Sequence, residues 1–445
     1  MTTEPAADNA VDSPSAEDLR EAWRVLSGSE RAEGFRLLPR TESEEFFSEL
    51  DAHDLADLIS ALPAGERRSW MRLLAPDDAA DVLQAAPEAA REGLMGLLDE
   101  PTRKEVTALL AYAEDDAGGL MNPRYARVRP NMSVDEAISY LRKQTRDRVE
   151  TMYYVYVLDS DQVLQGVVSF RDLFSAQGHK KVREVMHSDL VTAHEQLDQE
   201  AVSRLFSQHS LVAIPVVDSD GHMKGIVTVD DIVDVVHEEA SEDMQKFGGM
   251  EALEQPYLQI ALRSMIKKRA GWLSALFIGE MLTATALGFY EAEIARAVVL
   301  ALFMPLIISS GGNSGSQAST LVIRAMALGE VRLLDWWRVV RREVAAGLSL
   351  GFILGLIGLI RVVIWGRAFN MYGEHYVLVG LTVAGSLLGV VMFGTLAGSM
   401  LPFLLRRLGF DPASASAPFV ATLVDVTGLI IYFSVASVIL GGTLL

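Results

Sequence analysis

Residues 305–317 read Pro305-Leu-Ile-Ile-Ser-Ser-Gly-Gly-Asn313-Ser-Gly-Ser-Gln317, a polar, glycine-rich run inside an apolar segment of membrane-spanning length. Hydrocarbon offers no partner to an unpaired amide or carbonyl, so irregular backbone at that depth must be buried in protein or line water. The stretch therefore predicts an interrupted, pore-lining segment, with Pro305, Gly312, Asn313 and Gln317 at the path. Asp425 agrees with it, standing inside the last apolar run, PFVATLVDVTGLIIYF (418–433). Carboxylates at membrane depth are costly and mark ion pathways. Two blander readings stand beside these: Asn313 as the cap of a helix break, and Asp425 as a buried structural hydrogen bond. The company of Pro305, two glycines and Gln317 favours the pore.

Composition divides the chain near residue 270. Of 59 acidic and 39 basic residues, 50 and 29 precede that point, so the first part carries a net charge of −21 and the second +1. Such a surface disfavours nucleic acid and favours cations. Zero cysteines exclude a disulfide framework and thiolate metal sites, leaving metals with oxygen ligands. The amino terminus, MTTEPAADNAVDSPSAED, has no apolar h-region, so the first half is expected in the cytosol and residues 1–16 as a disordered tail.

Residues 17–125 carry short helical blocks in which Pro39, Pro63 and Pro87 recur every 24 residues after the endings RLLP, SALP and QAAP. This pattern fits an all-α superhelix, with an ordinary bundle as the alternative. Two α/β units follow, at 126–186 and 187–245. In the second, SLVAIPVVDSDGHMKGIVTVDDIVDVV reads strand, turn, strand, helix. In the first, Gly166-Val-Val-Ser-Phe-Arg-Asp172 matches Gly225-Ile-Val-Thr-Val-Asp-Asp231. The two units resemble a tandem cystathionine-β-synthase (CBS) pair, a module that binds adenine nucleotides or ions.

An amphipathic connector at 246–268 ends in Lys267-Lys268-Arg269. Five apolar segments then fall at 271–289, 294–326, 344–365, 376–405 and 416–443, giving an α-helical transmembrane domain over 269–445. Arg332, Arg338, Arg341, Arg342, Arg406 and Arg407 lie in alternate loops. Positive-inside counting then predicts a cytosolic amino terminus and an external carboxy terminus. Glycines at four-residue spacing, such as Gly347/Gly351/Gly355 and Gly394/Gly398, predict tight helix packing.

Mg²⁺ gives up its waters reluctantly and prefers oxygen ligands. Asp425, Asn313 and nearby carbonyls suit a hydrated ion, presented twice if the pore lay on a dimer axis. Glu280 and Arg361 are both out of place in lipid; a structural pair and a permeation role for Glu280 are equally open. In the soluble half, Asp231, Asp234, Glu239, Glu242 and Asp243 crowd one helical run, and counter-cations could bridge it to a neighbour such as Asp77 and Asp81. A solvated face is the plainer alternative. No Walker loop, HExxH, GxSxG or paired histidine spacing is present, so no enzyme is expected.

Superhelix, CBS pair, connector, five spans, the PxxxxxGGNSGSQ run and a late membrane Asp together resemble the MgtE family of magnesium channels over essentially the whole chain. The resemblance implies a homodimer in the cytoplasmic membrane, supporting magnesium uptake and homeostasis. Its path for hydrated Mg²⁺ would run along the twofold axis past Asn313 and Asp425, and the connector would act as a plug helix. It further implies regulatory Mg²⁺ at Asp198, Glu200, Asp231, Asp234, Glu239, Glu242 and Asp243, with Asp77 and Asp81 from the helical domain and Asp411 facing the plug. High internal Mg²⁺ would then hold the path closed. Ser210 stands where family members carry an acidic ligand. Tyr154, Arg171 and Asp172 fit ATP in the CBS cleft, whereas Leu211 replaces the aromatic that stacks on adenine. A proton-coupled divalent-cation carrier using Glu280 and Asp425, and a membrane-tethered nucleotide or metal sensor without transport, are the alternatives. Glycine-rich backbone in the second span speaks against a mere anchor.

Overall fold

A computed structural model of the chain describes residues 15–144, 149–253, 257–258 and 260–445. The tail expected at 1–16 falls almost wholly outside the described residues. The chain divides into two units at His237/Glu238.

The first unit opens with eight short helices: α1 (Ala16–Ala22), α2 (Gly28–Leu37), α3 (Arg40–Ser48), α4 (Ala52–Ala61), α5 (Ala64–Met71), α6 (Pro76–Ala85), α7 (Glu88–Met95) and α8 (Glu100–Leu109). Pro39, Pro63 and Pro87 stand directly before α3, α5 and α7, where a missing N–H costs nothing. Side chains repeat with them. Arg67 donates to the carbonyls of Leu62 and Ser60 at 2.7 and 2.6 Å, and Arg91, 24 residues on, donates to those of Ala86 and Gln84 at 3.0 and 2.7 Å. Ser43 fills the same place one repeat earlier, with its hydroxyl on the Leu38 and Pro39 carbonyls. Since α2 packs on α4, α4 on α6 and α6 on α8, the helices form a ladder of repeats, the superhelical alternative.

After α9 (Ala117–Leu120) come β1 (Arg127–Val128), α10 (Val134–Gln144), β2 (Tyr154–Leu158), β3 (Leu164–Ser169) and α11 (Phe170–Ser175). Their repeat is β4 (Ala193–His194), α12 (Gln199–His209), β5 (Ala213–Val217), β6 (Met223–Thr228) and α13 (Val229–Phe247). Each repeat builds a three-stranded sheet with one parallel and one antiparallel pairing, in the orders β1-β2-β3 and β4-β5-β6. Val157 pairs with Gly166 and Val216 with Gly225, each beside a register shift. A Cβ at Gly225 would lie 2.8 Å from the Asn122 carbonyl, so the glycine admits the strand that crosses there. One core runs from the helical ladder into the second repeat, from Phe35 and Leu83 to Phe206 and Ile214.

The second unit holds α14 (Leu262–Phe289), α15 (Glu291–Arg296), α16 (Met304–Ala327), α17 (Trp336–Phe369), α18 (Tyr376–Arg407) and α19 (Ala417–Leu440). Among the described residues, four helices are long and apolar enough to cross a membrane: α14, α17 with its leading turn, α18 and α19. The fifth long helix, α16, has 24 residues and carries the polar run. The central α18 packs against α16, α17 and α19, while α14 packs on α19 and buries none of its residues.

Two expectations are corrected and one open alternative is closed. The 305–317 run is not irregular: α16 is continuous from Met304 to Ala327. Pro305 lies in its first turn, where no amide is needed, and the hydroxyls of Ser310 and Thr320 bond back to the carbonyls of Leu306 and Ser316 at 2.6 and 2.8 Å. The glycines serve contact instead. A Cβ on Gly315 would stand 2.9 Å from the Gly394 carbonyl, and Gly311, Gly394 and Gly398 are as tightly placed, so α16 and α18 meet backbone to backbone. The amphipathic helix expected at 246–268 is also displaced. The helix ends at Phe247, Gly249 takes φ +75°, and residues 262–268 begin α14. Finally, Arg361 does not pair with Glu280; it donates to the Tyr372 hydroxyl at 3.0 Å and lies 3.9 Å over the Trp365 ring.

Candidate functional site

In the first unit a knot of carboxylates forms around Asn122. Asp77 sits in the first turn of α6, where the backbone amides favour an anion, and is 8% exposed. Its Oδ1 accepts from Asn122 Nδ2 at 3.0 Å, and the same Nδ2 donates to Glu150 Oε2 at 2.8 Å. Asn122 is 0% exposed and is fixed by reciprocal backbone bonds with Ile226 of β6. Beyond β6, Asp231 caps the start of α13 by accepting from the Thr228 hydroxyl at 2.7 Å.

Burial first, and then the charges of Asp78, Asp231 and Glu150, hold Asp77 well above the ordinary carboxylate range. Burial likewise pushes Asp231 up to about 7, against the Thr228 hydrogen bond and with Asp230 and Asp78 adding to the rise. Like charges so placed repel, and nearby Arg124 is engaged by Glu105 at 2.7 Å. A multivalent cation with oxygen ligands suits this donor set. Asp77 and Asp231 are thus brought together as expected. Asp78, Glu150, Asp230 and Asn122 join them unforeseen, although the adjacent pairs Asp77-Asp78 and Asp230-Asp231 were a visible signal.

The other expected ligands are dispersed. Asp81 lies one turn after Asp77 on α6, and Asp234 is exposed on α13. Asp198 caps α12 through the Glu200 amide at 2.9 Å, and the Glu200 carboxylate pairs with Arg204 at 3.0 Å. Ser210 ends α12 in the left-handed region, φ 51°.

Glu239, Glu242 and Asp243 lie on the last turns of α13. There the Lys246 ammonium bonds Asp411 Oδ2 at 2.7 Å and also the Glu242 carboxylate, so a lysine occupies the place foreseen for a bridging metal. Burial lowers the lysine pKa, but the bonds to Asp411 and Glu242 outweigh it and raise the value. At the β5–β6 turn, Asp218, Asp220 and His222 also approach one another, yet Asp218 is held by Lys224 at 3.0 Å and by the amides of Asp220 and His222.

In the CBS repeat, Tyr154 pairs with Ser169 across β2 and β3, which sets it beside the start of α11 that carries Arg171 and Asp172. Asp172 accepts from the Ser169 hydroxyl at 2.7 Å and lies 3.6 Å from His187. Leu211 packs against the main core of the unit.

In the second unit, α16 separates its faces cleanly. Ile307, Gly311, Gly315 and Ala318 are buried, whereas Pro305, Ser309, Asn313 and Gln317 are exposed at four-residue spacing. Such spacing places these four side chains on one face. Gly312 lies against Ala421 of α19, one turn before Asp425. The Asp425 carboxyl interacts with Glu280 of α14. Gly279 packs against Thr422, which brings α14 close enough for that approach.

Three family models match this chain: the MgtE intracellular N domain over residues 15–115, the CBS domain over 117–179 and 182–238, and MgtE, a divalent cation transporter, over 304–435. The architecture is thus that of a divalent-cation transporter preceded by an N domain and a CBS pair. The chain is 40% identical over 429 residues to magnesium transporter MgtE of Thermus thermophilus, spanning 95% of this chain and 93% of that one. It is 35% identical to magnesium transporter MgtE of Enterococcus faecalis, over 75% and 71% of the two chains. Among solved structures it is similar to the cytosolic domain of the Mg²⁺ channel MgtE in complex with ATP, at 41% identity and a TM-score of 0.47, covering 50% of this chain and 90% of that one. The chain belongs to the MgtE family of magnesium transporters.

Proposed function

We propose that the chain is a Mg²⁺-selective channel of the cytoplasmic membrane, closed when cytosolic Mg²⁺ fills acidic sites in its soluble half. The observation that carries this reading is the Asp77–Asn122–Glu150 junction with Asp231 beside it, where helical ladder and CBS pair meet through carboxylates. Divalent cations offset their repulsion and favour the state in which they are close. Several weak sites filled together give a steep response without one tight site. Asp81, Asp198, Glu200, Asp234, Glu239, Glu242, Asp243 and Asp411 complete the proposed regulatory set.

In the membrane, α16 is counted as the fifth span and its Asn313–Gln317 face as one wall of the path, with Asp425 beside it. A homodimer would present that face twice around the axis, and the end of α13 with the segment after it would serve as the plug. The amino terminus is cytosolic and the carboxy terminus external in this reading. Adenine nucleotide binds, if weakly, at Tyr154, Arg171 and Asp172, since Leu211 offers no ring to stack on.

The test is Mg²⁺ current through the reconstituted chain, titrating Mg²⁺ on the cytosolic face. Unitary currents that shut at Mg²⁺ on the order of millimolar support the reading; absence of current with retained flux refutes the channel. The Glu280–Asp425 approach favours one second reading, a proton-coupled carrier, which would show flux that follows the pH gradient.

A further inference from the structure

We propose that the end of the helical unit where α17 begins and α18 ends is a binding surface for the headgroups of acidic phospholipids. With 34 residues, α17 is about 51 Å long, against a hydrocarbon core of about 30 Å. Its apolar run at 344–365 fills that core, so Trp336–Glu343 project beyond it. A small cluster of Val322, Met326, Val331, Val339, Met400 and Phe403 ties the ends of α16, α17 and α18 together there.

Around this cluster stand five exposed arginines: Arg338, Arg341 and Arg342 on α17, and Arg406 and Arg407 on the last turn of α18. Among the described residues, the one ion pair in the group is Arg338 with Asp335 at 3.2 Å, and that arginine side chain is 86% exposed. Apolar groups share the surface. The Trp336 and Trp337 rings, 5.5 Å apart, are half exposed, Leu334 is 91% exposed, and Leu408 and Phe410 are exposed too.

Arginine forks match phosphodiester oxygens two at a time, and indole rings settle at the headgroup level with their apolar body toward the acyl chains. A soluble anion would satisfy the arginines and leave Leu334 and both tryptophans in water. An acidic lipid satisfies both sets at once, so charge and apolar complementarity select it over the acidic half of the same chain.

The full chain is reconstituted in nanodiscs of phosphatidylcholine with or without phosphatidylglycerol. Lipid retained by the protein is counted by native mass spectrometry, and the unfolding temperature is measured. Wild type retains phosphatidylglycerol and is stabilised by it. The triple variant R338Q/R341Q/R342Q loses affinity about fivefold per arginine, while R338K/R341K/R342K keeps most of it, which separates charge loss from misfolding. W336A/W337A weakens retention of both lipids. Equal phosphatidylglycerol retention in wild type and the glutamine variant overturns the proposal. So does a salt-sensitive stabilisation that is already complete in phosphatidylcholine, since that assigns the arginines to the acidic half of the chain.

Discussion

Asp231 shows how one side chain can hold a domain junction in tension. Its folded-state pKa of about 7 lies above the 3.8 of an unfolded chain, so its charged form is penalised on folding. The penalty is fully present above pH 7, shrinks as pH falls through 7, and is gone below about 3.8. In Mg²⁺-free buffer, stability is therefore expected to rise as pH drops from 8 to 5, and the stabilisation given by added Mg²⁺ to shrink over the same range. Thermal melts at both pH values, with and without Mg²⁺, check this. Asp231→Asn keeps an acceptor for Thr228 and removes the charge, and should gain roughly 1 kcal/mol, or about 2–4 °C in Tm, while losing part of the Mg²⁺ response. In the proposed permeation path, Asp425→Ala or Asn313→Ala should abolish or degrade selective Mg²⁺ flux without lowering the recovery of folded protein; normal flux in Asp425→Ala would falsify the pore assignment.

Helices are where the sequence was easiest and hardest to interpret. Both CBS repeats were legible because Gly166 and Gly225 fall at one register position and a hairpin carries its own turn chemistry. The 24-residue ladder was legible from Pro39, Pro63 and Pro87. The PLIISSGGNSGSQ run is helical where an irregular backbone was expected, because glycine that frees a chain and glycine that admits a neighbour look alike in one dimension. Here the neighbour is α18, and a side chain at Gly351 of α17 would likewise stand 2.8 Å from the Leu388 Cα. Gly394→Val and Gly351→Val are expected to force these helices apart and lower thermal stability by more than the roughly 1–3 kcal/mol of ordinary overpacking; a melt of the detergent-solubilised protein reads this. Two of the partners of Asp77 were not legible, because Asn122 and Glu150 reach it from 45 and 73 residues away along the chain.

At the scale of the whole molecule, an acidic soluble half with net charge −21 joins a nearly neutral membrane half. If Mg²⁺ is what closes the path, removing charge from the sensor mimics the ion only in part, because a bound cation also bridges. The double variant Asp231→Asn/Asp234→Asn should relieve repulsion yet lose that bridge, and so conduct at Mg²⁺ levels that shut wild type; unchanged inhibition would sink the sensor assignment.

The lysine between Glu242 and Asp411 adds a competitor that no dialysis removes. Its ammonium is tethered one helical turn from the Glu242 carboxylate, so the local dose of this cation is set by the chain and not by the cell. Any free divalent ion must displace a resident that never dilutes, which shifts its apparent affinity at Asp411 toward weaker values and blunts the response there to small changes in supply. Under the proposed sensing, this corner of the molecule would answer to Mg²⁺ more weakly than the carboxylates around Asp77.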